Sequence, residues 1–310
     1  MSQRIHLSGS AYALGERREI DELPELQADR DLLETFQALG LRSYRRSSSP
    51  PAELAAASIA ETLRRAALPA SEIDVLIYAT TSFWQESFYR RQEVSRLLEV
   101  AGLTKAYPVG VTLSECANVQ TALRVGASMI AAGEARHVLV VSVDCTAPSA
   151  SRLVPPRVSV KSDGAASVVL SPESLGGFEY LGTRQRVHAA LWDMDPGADK
   201  FRYAKEGEAG IKTVVEGVLA GLGVGKEAVS HLVVNHYNLS AMRIAAAAAG
   251  IRPDRLHSKS LAHTAHVTAA DTLVGLCDLE EGGSLAPNAL VLLLGSGPNL
   301  WGASLVRKLG

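Results

Sequence analysis

Short apolar runs alternate with segments of helical spacing along most of this 310-residue chain. In the first half, three runs rich in aliphatic and β-branched residues predict buried strands, at residues 74–81, 137–144 and 165–170. Three segments have the spacing of helices, at residues 53–68, 88–101 and 116–133. This alternation predicts an α/β fold with mostly parallel strands.

The second half of the chain repeats this order. The matching pairs are 231–238 with 74–81, 289–295 with 137–144, and GASLVRK from Gly302 with GAASVVL from Gly164. Helices are predicted at 240–250 and 264–279, the second in the place of the one at 116–133. We interpret the repeat as an internal duplication, although any two α/β halves alternate in a similar way. A cleft between the halves is the expected place for a binding site.

Composition narrows the class of protein. Lysine and arginine number 31 and aspartate and glutamate 33, so the net charge of −2 argues against a dedicated nucleic-acid binder. No apolar run approaches the ~20 residues that span a bilayer, and the first ten residues contain no apolar signal segment. Three cysteines are too few for a disulfide framework, which favours a reducing, cytoplasmic location.

One cysteine differs from the other two. Cys145 and Cys277 lie among apolar residues and fit a packed core. Cys116 opens a predicted helix of small residues, where the helix dipole favours a thiolate and the free backbone N–H groups suit an oxyanion. Cys116 is therefore a candidate nucleophile; the alternative is a third packed cysteine.

Three histidines fall near the expected cleft. His236 follows an apolar strand, and His263 and His266 flank the helix start that corresponds to the Cys116 helix start. A thiol with imidazoles can carry out acyl chemistry, because an imidazole can move a proton or donate to a thioester oxygen. A buried structural role is the alternative for each histidine. The scattered spacing argues against a zinc site.

Two further features suit a carrier-borne acyl substrate. The turn at Gly295–Gly297 follows an apolar strand and can offer a backbone N–H to a carbonyl, or simply be a tight turn. Arginines cluster at 42, 45 and 46, at 64 and 65, and at 90 and 91, which fits either a solvated surface or docking of a phosphate-bearing carrier.

Seven segments, in order and spacing, resemble β-ketoacyl-acyl-carrier-protein synthase III of the thiolase-fold condensing enzymes. They are GLRSYRR at Gly40, IDVLIYATTS at Ile73, TLSECANVQTAL at Thr112, SDGAASVVL at Ser162, VVNHYNLSAMRI at Val233, LAHTAHVTAADT at Leu261 and GSGPNLWGASLVR at Gly295. The resemblance implies a five-layered αβαβα fold from two duplicated halves. We expect residues 1–172 to carry the nucleophile and residues 173–310 the catalytic histidines.

The resemblance also implies roles for single residues. Cys116 attacks an acyl thioester, His236 falls on the family's catalytic histidine and His263 on its usual asparagine. Gly297 falls on the glycine whose N–H completes the oxyanion hole with that of Cys116. The implied substrate-binding residues are Phe88, Arg42, Arg243 and Asn238. A homodimer is expected, with no bound cofactor or metal and with coenzyme A or phosphopantetheine thioesters as substrates, supplied as acyl-CoA or on an acyl carrier protein.

Departures from the family pattern leave the reaction open. His263 in place of asparagine gives a Cys-His-His set, as in the elongating synthases, and Glu115 stands where the family has a small residue. The family's adenine-stacking tryptophan is missing near Glu34 and Phe36, which favours carrier-protein donors.

The main hypothesis is decarboxylative condensation of a Cys116-bound acyl group with a malonyl-type thioester, in specialised fatty-acid or polyketide-like biosynthesis. One alternative is acyl transfer to a hydroxyl or amine, and another is a non-catalytic partner subunit. Release of carbon dioxide separates the first two reactions.

Overall fold

The computed structural model of the protein describes residues 3–82, 87–155, 157–194 and 198–310, with residues 87–90 described by their backbone alone. The strands are β1 (Ile5–Leu14), β2 (Glu16–Glu19), β3 (Ser43–Arg46), β4 (Val75–Ala79), β5 (Tyr107–Val111), β6 (Val138–Asp144), β7 (Leu153–Val154), β8 (Ser159–Val160), β9 (Gly164–Ser171), β10 (Phe178–Val187), β11 (Val229–Val234), β12 (Leu290–Ser296) and β13 (Leu300–Lys308). The helices are α1 (Pro24–Gln27), α2 (Arg30–Ala38), α3 (Pro51–Ala66), α4 (Ser87–Val100), α5 (Asn118–Ala131), α6 (Lys200–Gly221), α7 (Leu239–Ala249), α8 (Leu261–Thr264) and α9 (Asp271–Glu281).

The two halves of the chain build matching sets of strands. The first set runs in the order β5-β4-β6-β9-β1 and the second in the order β11-β12-β13-β10. In each set a parallel pair, β4–β6 or β11–β12, is followed by an antiparallel neighbour, β9 or β13. The sets join where β1 and β10 pair over three residues, Ile5–Leu7. The strands matched by the sequence repeat therefore hold equivalent positions.

Helices form the other three layers. A central core surrounds α5 and α9 and takes side chains from strands of both halves, so the two sets of strands face each other across these helices. Helix α3 covers the outer face of the first set. Helices α6 and α7 cover the outer face of the second. The predicted α/β fold of five layers from duplicated halves is confirmed, while the boundary between residues 172 and 173 stays a prediction.

Two predicted helices begin differently from the expectation. The segment 116–133 opens with a 3-10 turn, Glu115–Ala117, before α5 begins. The segment 264–279 is not one helix, because the chain leaves α8 at Thr264 and makes a second 3-10 turn, Thr268–Ala270, before α9. Each inner helix is therefore preceded by an irregular turn. Within the described ranges, no helix has the length and apolar character needed to cross a membrane.

Replacing Gly210 with alanine tests the packing of α6 on β13. A Cβ at Gly210 would lie 2.3–2.5 Å from three ring carbons of Trp301, which is 3% exposed. The buried indole cannot yield, so we expect Gly210→Ala to lower the free energy of unfolding by about 1–3 kcal/mol. Alanine's better helix propensity offsets at most ~1 kcal/mol of this loss.

Gly207→Ala on the same helix is the matched control, because nothing lies within 4 Å of its Cβ position. We expect that variant to be at least as stable as the wild type. Urea unfolding measures both free energies. A Gly210→Ala protein as stable as Gly207→Ala would contradict the described packing.

Candidate active site

The thiol of Cys116 lies in the 3-10 turn that precedes α5, as the helix-start pattern predicts. The residue before it, Glu115, has a φ of 48°, in the left-handed region that non-glycine residues rarely adopt. Backbone strain of this kind persists where the surroundings fix a functional side chain. Cys116 itself is half-buried.

The imidazole beside this thiol belongs to His266. Its Nε2 lies 3.4 Å from the Cys116 Sγ. The His266 backbone is fixed by β8 and the residues after it: its N–H donates to the Val160 carbonyl at 3.0 Å, and its carbonyl accepts from the Ser162 N–H at 2.8 Å. Cys116 precedes α5 and His266 precedes α9, so the two inner helices bring a thiol and an imidazole together.

A buried carboxylate, Asp271, completes the line from the sulfur. Its Oδ2 lies 2.6 Å from the His266 Nδ1 and 2.7 Å from the His236 N–H. Its Oδ1 accepts from the Val267 N–H at 2.7 Å. An acceptor at Nδ1 fixes the orientation of the His266 ring, so that Nε2 faces the thiol.

Charge distribution in this line favours an imidazolium. Burial opposes protonation of His266, but the Asp271 carboxylate and the neighbouring Cys116 outweigh it and raise the pKa of His266 to about 10. Burial would likewise raise the pKa of Asp271, but the His236 backbone N–H and the charged His266 ring hold it below its usual value. At neutral pH the site therefore contains an imidazolium between a carboxylate and the Cys116 sulfur.

The predicted catalytic residue His236 lies behind this line. It is fully buried, and its Nδ1 lies 3.1 Å from the Thr264 hydroxyl and 3.4 Å from the Asp271 Oδ1. Because the Thr264 hydroxyl donates to the Ser260 carbonyl, it accepts from Nδ1–H. Burial lowers the pKa of His236, so this ring is neutral. The structure places His236 against Asp271 and not against the thiol.

The predicted partner His263 lies outside the site. Its side chain is exposed, and its backbone carbonyl accepts from the Arg45 Nε at 2.8 Å. The irregular chain between Thr264 and α9 turns His266, three residues later, towards the sulfur. The structure thus corrects the placement of the second imidazole, while the catalytic roles of Cys116, His236 and His263 stay predictions.

Sequence reasoning did not single out Asn235, which joins three parts of the site. Its Nδ2 donates to the carbonyls of Cys116 at 3.3 Å and Thr268 at 3.1 Å. Its Oδ1 accepts from the Ser296 N–H at 2.8 Å. Its position was a usable signal, because Asn235 is the first polar residue after the apolar end of β11. Every polar atom of this amide is bound to backbone.

The predicted oxyanion donor Gly297 has another acceptor. Its N–H donates to the Leu300 carbonyl at 2.8 Å, across the turn between β12 and β13. A Cβ at Gly297 would lie 2.9 Å from that of Glu115, so glycine is needed for the close approach. Burial and then the nearby Asp144 raise the pKa of Glu115. Gly297 thus shapes the site. Its N–H was predicted to face an oxyanion, but in this structure it donates to the Leu300 carbonyl.

The predicted substrate-binding residues have different placements. Asn238 caps α7, because its Oδ1 accepts from the Ala241 N–H at 2.9 Å, and its Nδ2 donates to the Val158 carbonyl at 2.7 Å. The structure thus gives the Asn238 amide a structural use. Arg42 and Arg243 are exposed, and the Phe88 side chain lies outside the described residues.

Arg42 and Arg243 belong to neighbouring segments. The Leu239 N–H donates to the Leu39 carbonyl at 2.9 Å, which joins the start of α7 to the end of α2.

Across the part of the chain that the structure describes, no group of three or more histidine, cysteine, aspartate or glutamate side chains is placed to hold a metal ion.

Comparison with known proteins supports the same family. The family model for the C-terminal part of 3-oxoacyl-[acyl-carrier-protein] synthase III matches residues 219–308. A curated β-ketoacyl-[acyl-carrier-protein] synthase III from Psychromonas ingrahamii is 27% identical over 267 residues, covering 80% of this chain and 81% of the relative.

Solved structures agree in fold. ChlB3, described as an acyltransferase, superposes with a TM-score of 0.81 at 19% identity, over 99% of this chain and 98% of the other. The 3-oxoacyl-[acyl-carrier-protein] synthase III from Aquifex aeolicus superposes with a TM-score of 0.75 at 20% identity, over 98% of this chain and all (100%) of the other. The predicted resemblance to a synthase III-like enzyme of the thiolase fold is confirmed.

Asp271→Asn tests the electrostatic basis of the site. Removing the carboxylate leaves burial opposed by the Cys116 sulfur alone, so we expect the pKa of His266 to fall well below its wild-type value of about 10. Titration of the His266 ring by NMR measures this value. Asp144→Asn is the control, because Asp144 is another buried carboxylate, bonded to Thr268 and not to His266. An unchanged His266 titration in Asp271→Asn would contradict the account.

Proposed function

Because this chain resembles β-ketoacyl-acyl-carrier-protein synthase III in sequence and shares its fold, we propose that it transfers acyl groups from acyl thioesters to a hydroxyl or amine through an acyl-Cys116 intermediate. The observation that carries the proposal is the continuous line Cys116–His266–Asp271, with separations of 3.4 Å and 2.6 Å. Nucleophile, base and orienting carboxylate in such a line are the parts that acyl transfer requires.

The first half-reaction loads the enzyme. The Cys116 thiolate attacks the thioester carbonyl carbon, a new C–S bond forms, and the carbonyl electron pair moves to oxygen. When this pair returns, the original C–S bond breaks and the carrier thiolate leaves. The His266 imidazolium gives its proton to that thiolate, so the carrier departs as a thiol and His266 becomes neutral.

The second half-reaction unloads the enzyme. Neutral His266 now takes the proton of an acceptor hydroxyl or amine as the acceptor attacks the acyl-Cys116 carbonyl. Collapse of the tetrahedral species releases an ester or amide and returns Cys116 to the thiolate. Asp271 supports this step, because its charge stabilises the imidazolium that forms again.

Two observations favour transfer over decarboxylative condensation. Stabilising the enolate of a malonyl thioester needs hydrogen-bond donors besides the one imidazole that faces Cys116. Asn235 donates both amide bonds to backbone carbonyls, and His236 is turned towards Thr264 and Asp271. One imidazole is sufficient for transfer to a protic acceptor, which carries its own transferable proton.

Condensation is the second candidate, favoured by a different observation. The family match covers residues 219–308, which include Asn235, His266 and the turn at Gly297. The curated relatives bear the name of synthases that form β-ketoacyl chains on a carrier protein. This candidate requires release of carbon dioxide from a malonyl thioester, whereas the transfer reaction does not.

The proposal extends to donors and assembly. The exposed guanidinium groups of Arg42 and Arg243 suit the phosphate of coenzyme A or of the phosphopantetheine of an acyl carrier protein. We propose that acyl-CoA and acyl-carrier-protein thioesters are both substrates and that no cofactor stays bound. A homodimer is also proposed, supported by β5 at the edge of the sheet, whose Tyr107 is 72% exposed. The proposed location is the cytoplasm, which the small number of cysteines favours.

Intact-protein mass spectrometry after incubation with acyl-CoA and acyl-carrier thioesters tests the acyl-enzyme. We expect a mass increase equal to the acyl group in the wild type and none in Cys116→Ala. His266→Asn should load ~10²–10⁴-fold more slowly, because the leaving thiolate loses its proton donor. His263→Asn is the matched control and should load at the wild-type rate, since its side chain is exposed.

Two results would contradict this assignment. Equal loading rates for His266→Asn and the wild type would remove His266 from the mechanism. A complete absence of loading with every donor, although Cys116 reacts with iodoacetamide, would favour the non-catalytic partner subunit.

A further inference from the structure

Acyl transfer places a negative charge on the thioester oxygen, and that charge needs hydrogen-bond donors. Three polar groups around Cys116 are already bound to other acceptors. The Gly297 N–H donates to the Leu300 carbonyl and the Ser296 N–H to the Asn235 Oδ1. The Asn235 amide donates to two backbone carbonyls. Among these groups, none is available to the acyl oxygen without breaking a bond that holds the site together.

Tyr237 is a different kind of donor in the same place. Its ring lies against the His266 ring, with centroids 4.5 Å apart and planes inclined by 40°. Its hydroxyl donates to the Ser296 carbonyl at 2.6 Å, so it lies beside the turn that follows β12. Burial and then the neighbouring Cys116 sulfur raise the pKa of Tyr237 well above 10, so the hydroxyl keeps its proton.

We propose that the Tyr237 hydroxyl is a catalytic hydrogen-bond donor to the oxyanion formed at Cys116. The proposal deepens the acyl-transfer function and rests on it. In the free enzyme the hydroxyl donates to the Ser296 carbonyl. Rotation about the single Cζ–Oη bond redirects the hydrogen to the acyl oxygen, and the oxyanion is the stronger acceptor.

A tyrosine suits this role because of its position in the chain. It follows His236, whose backbone N–H is bound to Asp271, so the same segment that fixes the carboxylate also fixes the phenol. Contact between the rings of Tyr237 and His266 keeps the phenol near the reacting atoms. A donor held this way costs little reorganisation when charge develops.

The test uses p-nitrophenyl acetate, which needs neither a carrier nor an acceptor. The Cys116 thiolate attacks the ester carbonyl, a C–S bond forms, and collapse breaks the C–O bond and releases p-nitrophenolate without a proton. This reaction passes through an oxyanion. Alkylation of the same thiolate by iodoacetamide displaces iodide and forms no oxyanion, so it reports the nucleophile alone.

Tyr237→Phe keeps the ring and removes the hydroxyl. We expect its pre-steady-state burst of p-nitrophenolate to be about 10²-fold slower than in the wild type, with a much smaller change in the rate of alkylation, because the hydroxyl also lies beside the Cys116 sulfur. Tyr203→Phe is the matched control, because the Tyr203 hydroxyl donates to the Pro298 carbonyl of the same turn at 2.9 Å. That variant should match the wild type in both reactions.

Three other outcomes overturn the proposal. An unchanged burst in Tyr237→Phe would show that the hydroxyl does not act on the oxyanion. An equal slowing of burst and alkylation would assign Tyr237 a structural role or an effect on the sulfur. A slow burst in Tyr203→Phe as well would attribute the effect to loosening of the turn. A wild type that shows the burst but loads no thioester would refute the proposed function while leaving this test valid.

Discussion

The site depends on one buried carboxylate, Asp271. It accepts from the backbone N–H groups of His236 and Val267 and from the His266 ring. A buried charge is costly unless hydrogen bonds and an opposite charge compensate it, and here both do. Because Asp271 begins α9, the inner helix also fixes the depth at which the imidazole meets the thiol. The position of α9 therefore determines where the Asp271 carboxylate lies, and the carboxylate in turn determines the charge of the His266 ring.

The turns before the inner helices explain how two regular halves produce an irregular site. Ala265 and Thr268 have φ values of 45° and 53°, which non-glycine residues rarely adopt. These conformations direct His266 towards Cys116. They also bring the Thr268 hydroxyl to the Asp144 carboxylate, to which it donates at 2.5 Å. Asn235 then bonds both turns. Cross-links of this kind stabilise strain that the local sequence alone would not.

The spacing of apolar residues was sufficient to predict the layers, because buried strands and inner helices each have a characteristic apolar pattern. The same pattern placed Cys116 at the start of a helix. It was not sufficient for the second imidazole. The pattern at 264–279 predicts one helix, whereas the positive φ values of Ala265 and Thr268 break it, and no glycine marks the break. His263 and His266 differ by three residues, so this break decides which ring reaches the sulfur. By contrast, the structural role of Asn238 could be predicted from the sequence, since an asparagine directly before a helix is an ordinary capping signal.

Cys116 thus passes its acyl group to a protic acceptor with the help of a single imidazole, His266, which Asp271 supports. The most direct measurement is the fate of one preloaded acyl-Cys116 enzyme, divided between an amine or alcohol panel and a malonyl-carrier thioester, with carbon dioxide quantified alongside the acylated product. We expect ester or amide formation, with no carbon dioxide above a Cys116→Ala control. Stoichiometric carbon dioxide with a β-ketoacyl product would contradict acyl transfer and assign the chain to condensation.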